Sequence, residues 1–130
     1  MRLRVIYRAS KFLLGSSYGG GIAVNALMKS IWSGPTILLA PAHAVTTRWA
    51  RINREYILPE RTHVVIVHGY ADNVVPMSDS EKLIATATPG YGHLISVEDD
   101  HRLNNYLTKD VLRKLVVDLL KNSKLGSEQV

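Results

Sequence analysis

Three segments of the chain carry residue types that do chemistry together. The first, Gly15-Ser16-Ser17-Tyr18-Gly19-Gly20, sets a serine two residues from a glycine on either side. Between a strand and a helix, Gly-x-Ser-x-Gly spacing makes a sharp turn with the serine at its strained tip. The glycines leave room where side chains would clash, and the following helix aims backbone N–H groups at developing negative charge. The second segment is His68-Gly69-Tyr70-Ala71-Asp72-Asn73-Val74-Val75-Pro76, and the third is Val97-Glu98-Asp99-Asp100-His101-Arg102-Leu103. A nucleophilic serine needs a base to take its proton, and the base needs an acid to hold its tautomer. Ser17, His101 and Asp72 are candidates for these parts, in the chain order Ser, Asp, His. Asp99 and Asp100 are alternative acids, but each stands too close in sequence to His101 to reach round it easily.

Other chemistries fit less well. A Walker-type loop is excluded because no Gly-Lys-Ser/Thr follows, and Gly19-Gly20-Gly21 lacks the Gly-x-Gly-x-x-Gly spacing of a dinucleotide site. No histidine pair has metalloprotease spacing and there is no cysteine, so neither a catalytic metal nor another cofactor is expected. Tyr18 and Tyr70 flank the site and are expected to shape a substrate pocket. His43, after Ala40-Pro41-Ala42, is expected to line it. His68 reads as structural, and His63 and His93 as strand-edge residues.

The elements that must position these groups alternate in type. Residues 11–14 read as the end of a buried strand, and 19–31 as a helix with apolar residues at helical spacing. Residues 36–40 read as a second strand and 44–58 as helical or irregular. Val64, Val65, Ile66 and Val67 make 62–67 the clearest strand, apolar enough for a parallel sheet covered on both faces. A helix over 77–87, with Ser78 or Asp79 as its cap, leads to a fourth strand over 93–97. An amphipathic helix over 107–120 closes the pattern, and the tail from 122 is expected to fray. Strand and helix in alternation predict an α/β domain in which ligands bind beyond the carboxyl ends of the strands. All three chemical segments lie there.

The chain has 130 residues, which predicts one domain spanning 1–130. Hydrophobic residues make up 46% and charged residues 21%, ordinary globular usage that argues against disorder. The net charge of +5 is unevenly spread: residues 1–30 carry five basic side chains and no acid. No basic-aromatic motif accompanies them, so no nucleic-acid binding is expected. No apolar run approaches the ~18 residues of a membrane span. The apolar stretch near the start is broken by Gly15-Ser16-Ser17, too short and polar for a signal peptide, so a cytoplasmic protein is expected.

In Leu14-Gly15-Ser16-Ser17-Tyr18-Gly19-Gly20, His68-Gly69-x-x-Asp72-x-Val74-Val75-Pro76 and Asp100-His101-Arg102-Leu103, the chain resembles the α/β-hydrolase superfamily over roughly residues 11–120. The second signature is like that of dienelactone-hydrolase-like and small esterase members. The resemblance implies Ser17 as nucleophile, Asp72 as acid and His101 as base, with the N–H of Tyr18 in the oxyanion hole. It implies a serine esterase acting on small ester substrates through an acyl-enzyme, with short acyl chains expected of an open pocket. The fold it implies is a reduced one, matching the C-terminal half of a complete member: about four mostly parallel strands flanked by helices, and no cap domain. The elbow strand should then be a sheet edge, which residues 2–7 would cover or pair across a two-fold axis, giving a homodimer or higher oligomer. An inactive or split half acting as an interaction module is the alternative.

Overall fold

The computed structural model describes the backbone of residues 7–8 and 11–128 and the side chains of 11–123. Four parallel strands run side by side in chain order: β2 (Leu13–Ser16), β3 (Thr36–Leu39), β4 (Val64–Gly69) and β5 (Gly92–Val97). Their register pairs Leu14 with Ile37, Ile37 with Val65, and Val65 with His93. A two-residue strand, β1 (Tyr7–Arg8), lies antiparallel on the outer side of β2, with Tyr7 opposite Leu14 and Arg8 opposite Leu13. The expected cover of the elbow strand is thus present at Tyr7, within the same chain, and it reaches the first half of β2. Residues 2–6, the rest of the segment read as a cover, lie outside the described residues.

Successive side chains on a strand point to opposite faces, and this alternation builds two cores. Leu13, Leu38, Val64 and Ile66 pack with Ala23, Val24 and Leu27 of α1 (Tyr18–Met28) and Leu83 of α3 (Met77–Ile84). Leu14, Ile37, Leu39, Val65 and Val67 pack with Leu115 and Leu119 of α4 (Lys109–Glu128). Burying each such side chain is worth about 1.5–3 kcal/mol, and both faces of the central strands collect it. That is why β3 and β4 are buried along their whole length.

The helices differ from expectation at their ends. Residues 44–58 form only α2 (His43–Trp49), with no regular structure from there to β4. Neither Ser78 nor Asp79 caps α3: the cap position is Pro76, without a side-chain cap bond. α4 runs on to Glu128 through the tail expected to fray, because Lys121, Asn122 and the residues after them do not break a helix already held by its apolar face. Among the described residues, no helix is long and apolar enough to cross a membrane.

Candidate active site

The turn between β2 and α1 is strained at one residue. Ser17 has φ 53° and ψ −115°, a conformation that costs a non-glycine residue on the order of 1–3 kcal/mol and persists only where its surroundings enforce it. Here three backbone bonds do so. The Ser17 N–H donates to the Leu39 carbonyl at 2.8 Å, and the Ser17 carbonyl accepts from Ala42 N–H at 2.9 Å and Gly21 N–H at 3.1 Å. Gly15 is needed for close approach: a Cβ there would stand 2.6 Å from the Gly19 carbonyl oxygen and 2.9 Å from Gly20 Cα. Ser17 occupies the N-cap position of α1, where serine side chains usually accept a helix N–H, yet it makes no cap bond. Its Oγ lies 2.8 Å from His101 Nε2 instead. The Tyr18 N–H opens the helix and has no intrahelical acceptor.

Asp72 and His101 come to Ser17 because the loops after β4 and β5 lie against each other. A Cβ on Gly69 would run into the carbonyl oxygen of Asp99. The Tyr70 N–H donates to the Val97 carbonyl at 3.0 Å and the Ala71 N–H to the Asp99 carbonyl at 3.1 Å. This places Asp72 Oδ2 2.7 Å from His101 Nδ1. A carboxylate only accepts, so Nδ1 carries the hydrogen and Nε2 is left as the acceptor facing the Ser17 hydroxyl. The Asp72 carboxyl group is fully buried, whereas the His101 ring is 19% exposed. Asp72 Oδ1 accepts from the N–H groups of Val74 and Val75, both at 2.8 Å. The other two candidate acids are occupied with backbone. Asp99 accepts from the N–H groups of Asp100, Asn105 and Tyr106, and Asp100 accepts from Arg102 N–H.

Solved structures resemble this arrangement of elements. The chain aligns with a candidate hydrolase from Agrobacterium vitis S4 at a TM-score of 0.63 and 19% identity, over 84% of this chain and 60% of that one. It aligns with mouse alpha/beta hydrolase domain-containing protein 10 at 0.61 and 17%, over 95% and 64%. With a candidate hydrolase of the α/β superfamily from Xanthomonas campestris pv. campestris the values are 0.61 and 24%, over 85% and 57%. The chain has the α/β-hydrolase fold. It spans about three-fifths of the length of these proteins. No family model and no curated protein matches its sequence.

On this α/β-hydrolase fold the remaining candidates fall in different places. Tyr18 and Tyr70, beside Ser17 and in the Asp72 loop, are 64% and 58% exposed. His43 does not join them. It is buried at the start of α2, edge-on to Tyr56, and lines a cavity of about 370 Å³ with Arg48, Tyr56, Asp79 and Lys82, whose walls include none of Ser17, Asp72 or His101. Burial pushes His43 down from its ordinary value to about 4, with nearby Arg48 acting in the same direction and Asp79 opposing it. Its Nδ1 has no hydrogen-bond partner.

Two groups make contacts that the sequence reading did not specify. His68 is wholly buried, with Nε2 2.9 Å from the Val75 carbonyl and Nδ1 2.7 Å from Ser80 Oγ. Arg48 grips Asp79 with two hydrogen bonds, at 3.0 and 2.7 Å, tying α2 to α3. The signal for His68 was present in its four-residue spacing from Asp72. That for the Arg48–Asp79 pair, 31 residues apart in sequence, was not.

Proposed function

We propose that the chain is a serine hydrolase of the dienelactone-hydrolase-like or small esterase type, cleaving short-chain carboxylic esters. One observation carries this reading: a strained Ser17 whose hydroxyl faces His101 Nε2 at 2.8 Å while the buried Asp72 carboxylate holds Nδ1 at 2.7 Å. In the reaction His101 takes the Ser17 proton as Oγ attacks the ester carbonyl. The Tyr18 N–H and the positive end of α1 stabilise the oxyanion, helped by a first turn free of acidic side chains. His101 then gives its proton to the departing alcohol, leaving Ser17 acylated. Water attacks the acyl group through the same base, releasing the carboxylic acid and restoring the serine. The Asp72 carboxylate stays ionised throughout and stabilises the imidazolium.

The short-chain preference rests on exposure. Tyr18 and Tyr70 stand open to solvent, and among the described residues no cap covers Ser17. An open surface offers a long acyl chain little apolar burial. The description of the similar structures as hydrolases supports the reaction class.

The test is fluorophosphonate labelling of the purified chain, read by intact mass and peptide mapping, alongside hydrolysis of p-nitrophenyl esters of increasing acyl length. A single adduct on Ser17, absent from Ser17→Ala and from heat-denatured protein, is expected, with acetate and butyrate esters cleaved faster than laurate. A folded chain that takes no adduct and cleaves no ester refutes the reading.

A further inference from the structure

We propose that His68, held in place by Ser80, is a positioning residue for the catalytic acid. The proposal rests on the reading of Ser17, His101 and Asp72 as the reacting groups. It starts from a ring with 0% exposure, which has no water to satisfy its nitrogens. Nε2 faces the Val75 carbonyl at 2.9 Å. A carbonyl only accepts, so Nε2 carries the hydrogen. In the neutral ring Nδ1 is then an acceptor, and the buried Ser80 hydroxyl, 2.7 Å away, donates to it. Ser80 thus selects the tautomer that His68 needs, from the second turn of a helix packed behind the loop.

The value of this tautomer lies in what Val75 does. Its carbonyl takes the His68 N–H, while its own N–H donates to Asp72 Oδ1 at 2.8 Å. Pinning residue 75 therefore pins the carboxylate. His68 Nε2 also stands 3.2 Å from Asp72 Oδ2, the oxygen that holds His101, with its hydrogen directed at the Val75 carbonyl. The result is an unbroken line from α3 to the nucleophile: Ser80, His68, Val75 and Asp72, His101, Ser17. Asp72 is held at Oδ1 by the Val74 and Val75 N–H groups and at Oδ2 by His101, and of the two Oδ1 donors it is Val75 whose position His68 fixes.

The measurement compares His68→Leu, which keeps bulk and loses the donor, with His68→Gln, whose amide N–H reaches the Nε2 position, and with Ser80→Ala. Ester kinetics and fluorophosphonate labelling rates are read with thermal unfolding and the proton NMR resonance of His101 Nδ1–H, assigned by its loss in His101→Gln. In the leucine variant kcat and labelling rate should fall about 10- to 100-fold, by analogy with the outer partners of metal-ligating histidines. KM should be little changed and the His101 resonance should be lost. His68→Gln should recover part of the rate and keep the resonance, and Ser80→Ala should lose about 10-fold. A folded leucine variant that keeps full kcat and the resonance overturns the proposal, since a purely structural residue would lower only the unfolding temperature. Should that variant not fold, the contrast between the glutamine and alanine variants decides. If the wild-type chain hydrolyses no ester, the functional reading fails separately and the resonance alone judges the positioning. Its loss in the leucine variant and survival in the glutamine variant supports the proposal. Its survival in both, or its absence from the wild type, overturns it.

Discussion

A methyl group added at Gly15 tests whether the elbow geometry, rather than the mere presence of Ser17, makes the site. The new Cβ would stand 2.6 Å from the Gly19 carbonyl oxygen and 2.9 Å from Gly20 Cα. Ordinary contact begins near 3.4 Å, so the end of β2 and the first turn of α1 must part by about 0.8 Å. Both neighbours are backbone, and neither can swing aside as a side chain would. Ser17 sits between the two displaced pieces, and its hydrogen bond to His101 is 2.8 Å long. A displacement of that size stretches it past the ~3.2 Å limit of good geometry. A misplacement near 1 Å costs about 100-fold in rate, and overpacking costs about 1–3 kcal/mol of stability. Gly15→Ala should therefore label with fluorophosphonate about 100-fold more slowly while remaining folded in urea titrations. A variant that folds and labels at the wild-type rate would refute the idea that this close approach sets the nucleophile.

Three further outcomes follow from the same contacts. Asp72→Asn keeps an oxygen for the Val74 and Val75 N–H groups but turns an amide N–H toward His101, forcing the wrong tautomer. Ester kinetics should show kcat down by about 10⁴ with the urea midpoint nearly unchanged. His43 is held near 4 when folded and returns to its ordinary 6.5 on unfolding, so below pH 6.5 the unfolded chain binds the extra proton and stability falls as pH falls. At up to about 1.4 kcal/mol per pH unit, the wild type should lose about 2 kcal/mol between pH 7.5 and pH 5 that His43→Leu does not lose, as measured by urea titration at both values. Arg48→Ala strands the carboxylate of Asp79, which is 6% exposed. An unsatisfied buried acceptor costs about 1–3 kcal/mol, so this variant should be measurably less stable than Asp79→Ala, which leaves only a half-exposed arginine unpaired.

The parts of the site that were legible in the sequence are those set by local sterics. Gly15 and Ser17 announce a turn that only a small residue can make, and the Val64–Val67 run announces a strand covered on both faces. The loops carrying Asp72 and His101 follow their strands directly, and a parallel sheet delivers such loops to one end. What escaped depends on partners far away in sequence. Asp79 looked like a helix cap because its type and position suit one, yet Arg48 claims it. His43 stands just beyond β3, as expected. However, its side chain is buried against Tyr56 in the cavity between α2 and α3, a choice made by packing.

α3 links these observations. Two of its consecutive residues serve different neighbours: Asp79 binds Arg48 of α2, and Ser80 binds His68 beneath the acid loop. Consecutive helix positions point about 100° apart, so one turn reaches both at once. Any movement of α3 along the sheet would therefore disturb the helix pairing and the Asp72 support together. The Arg48–Asp79 pair touches none of Ser17, Asp72 or His101, but under the proposed reading this route would make it report on turnover as well as stability. If Ser80 positions the acid as proposed, Arg48→Ala should slow ester turnover even at temperatures where it is fully folded. If Ser80 only fills space, the same variant should lose stability and keep its rate.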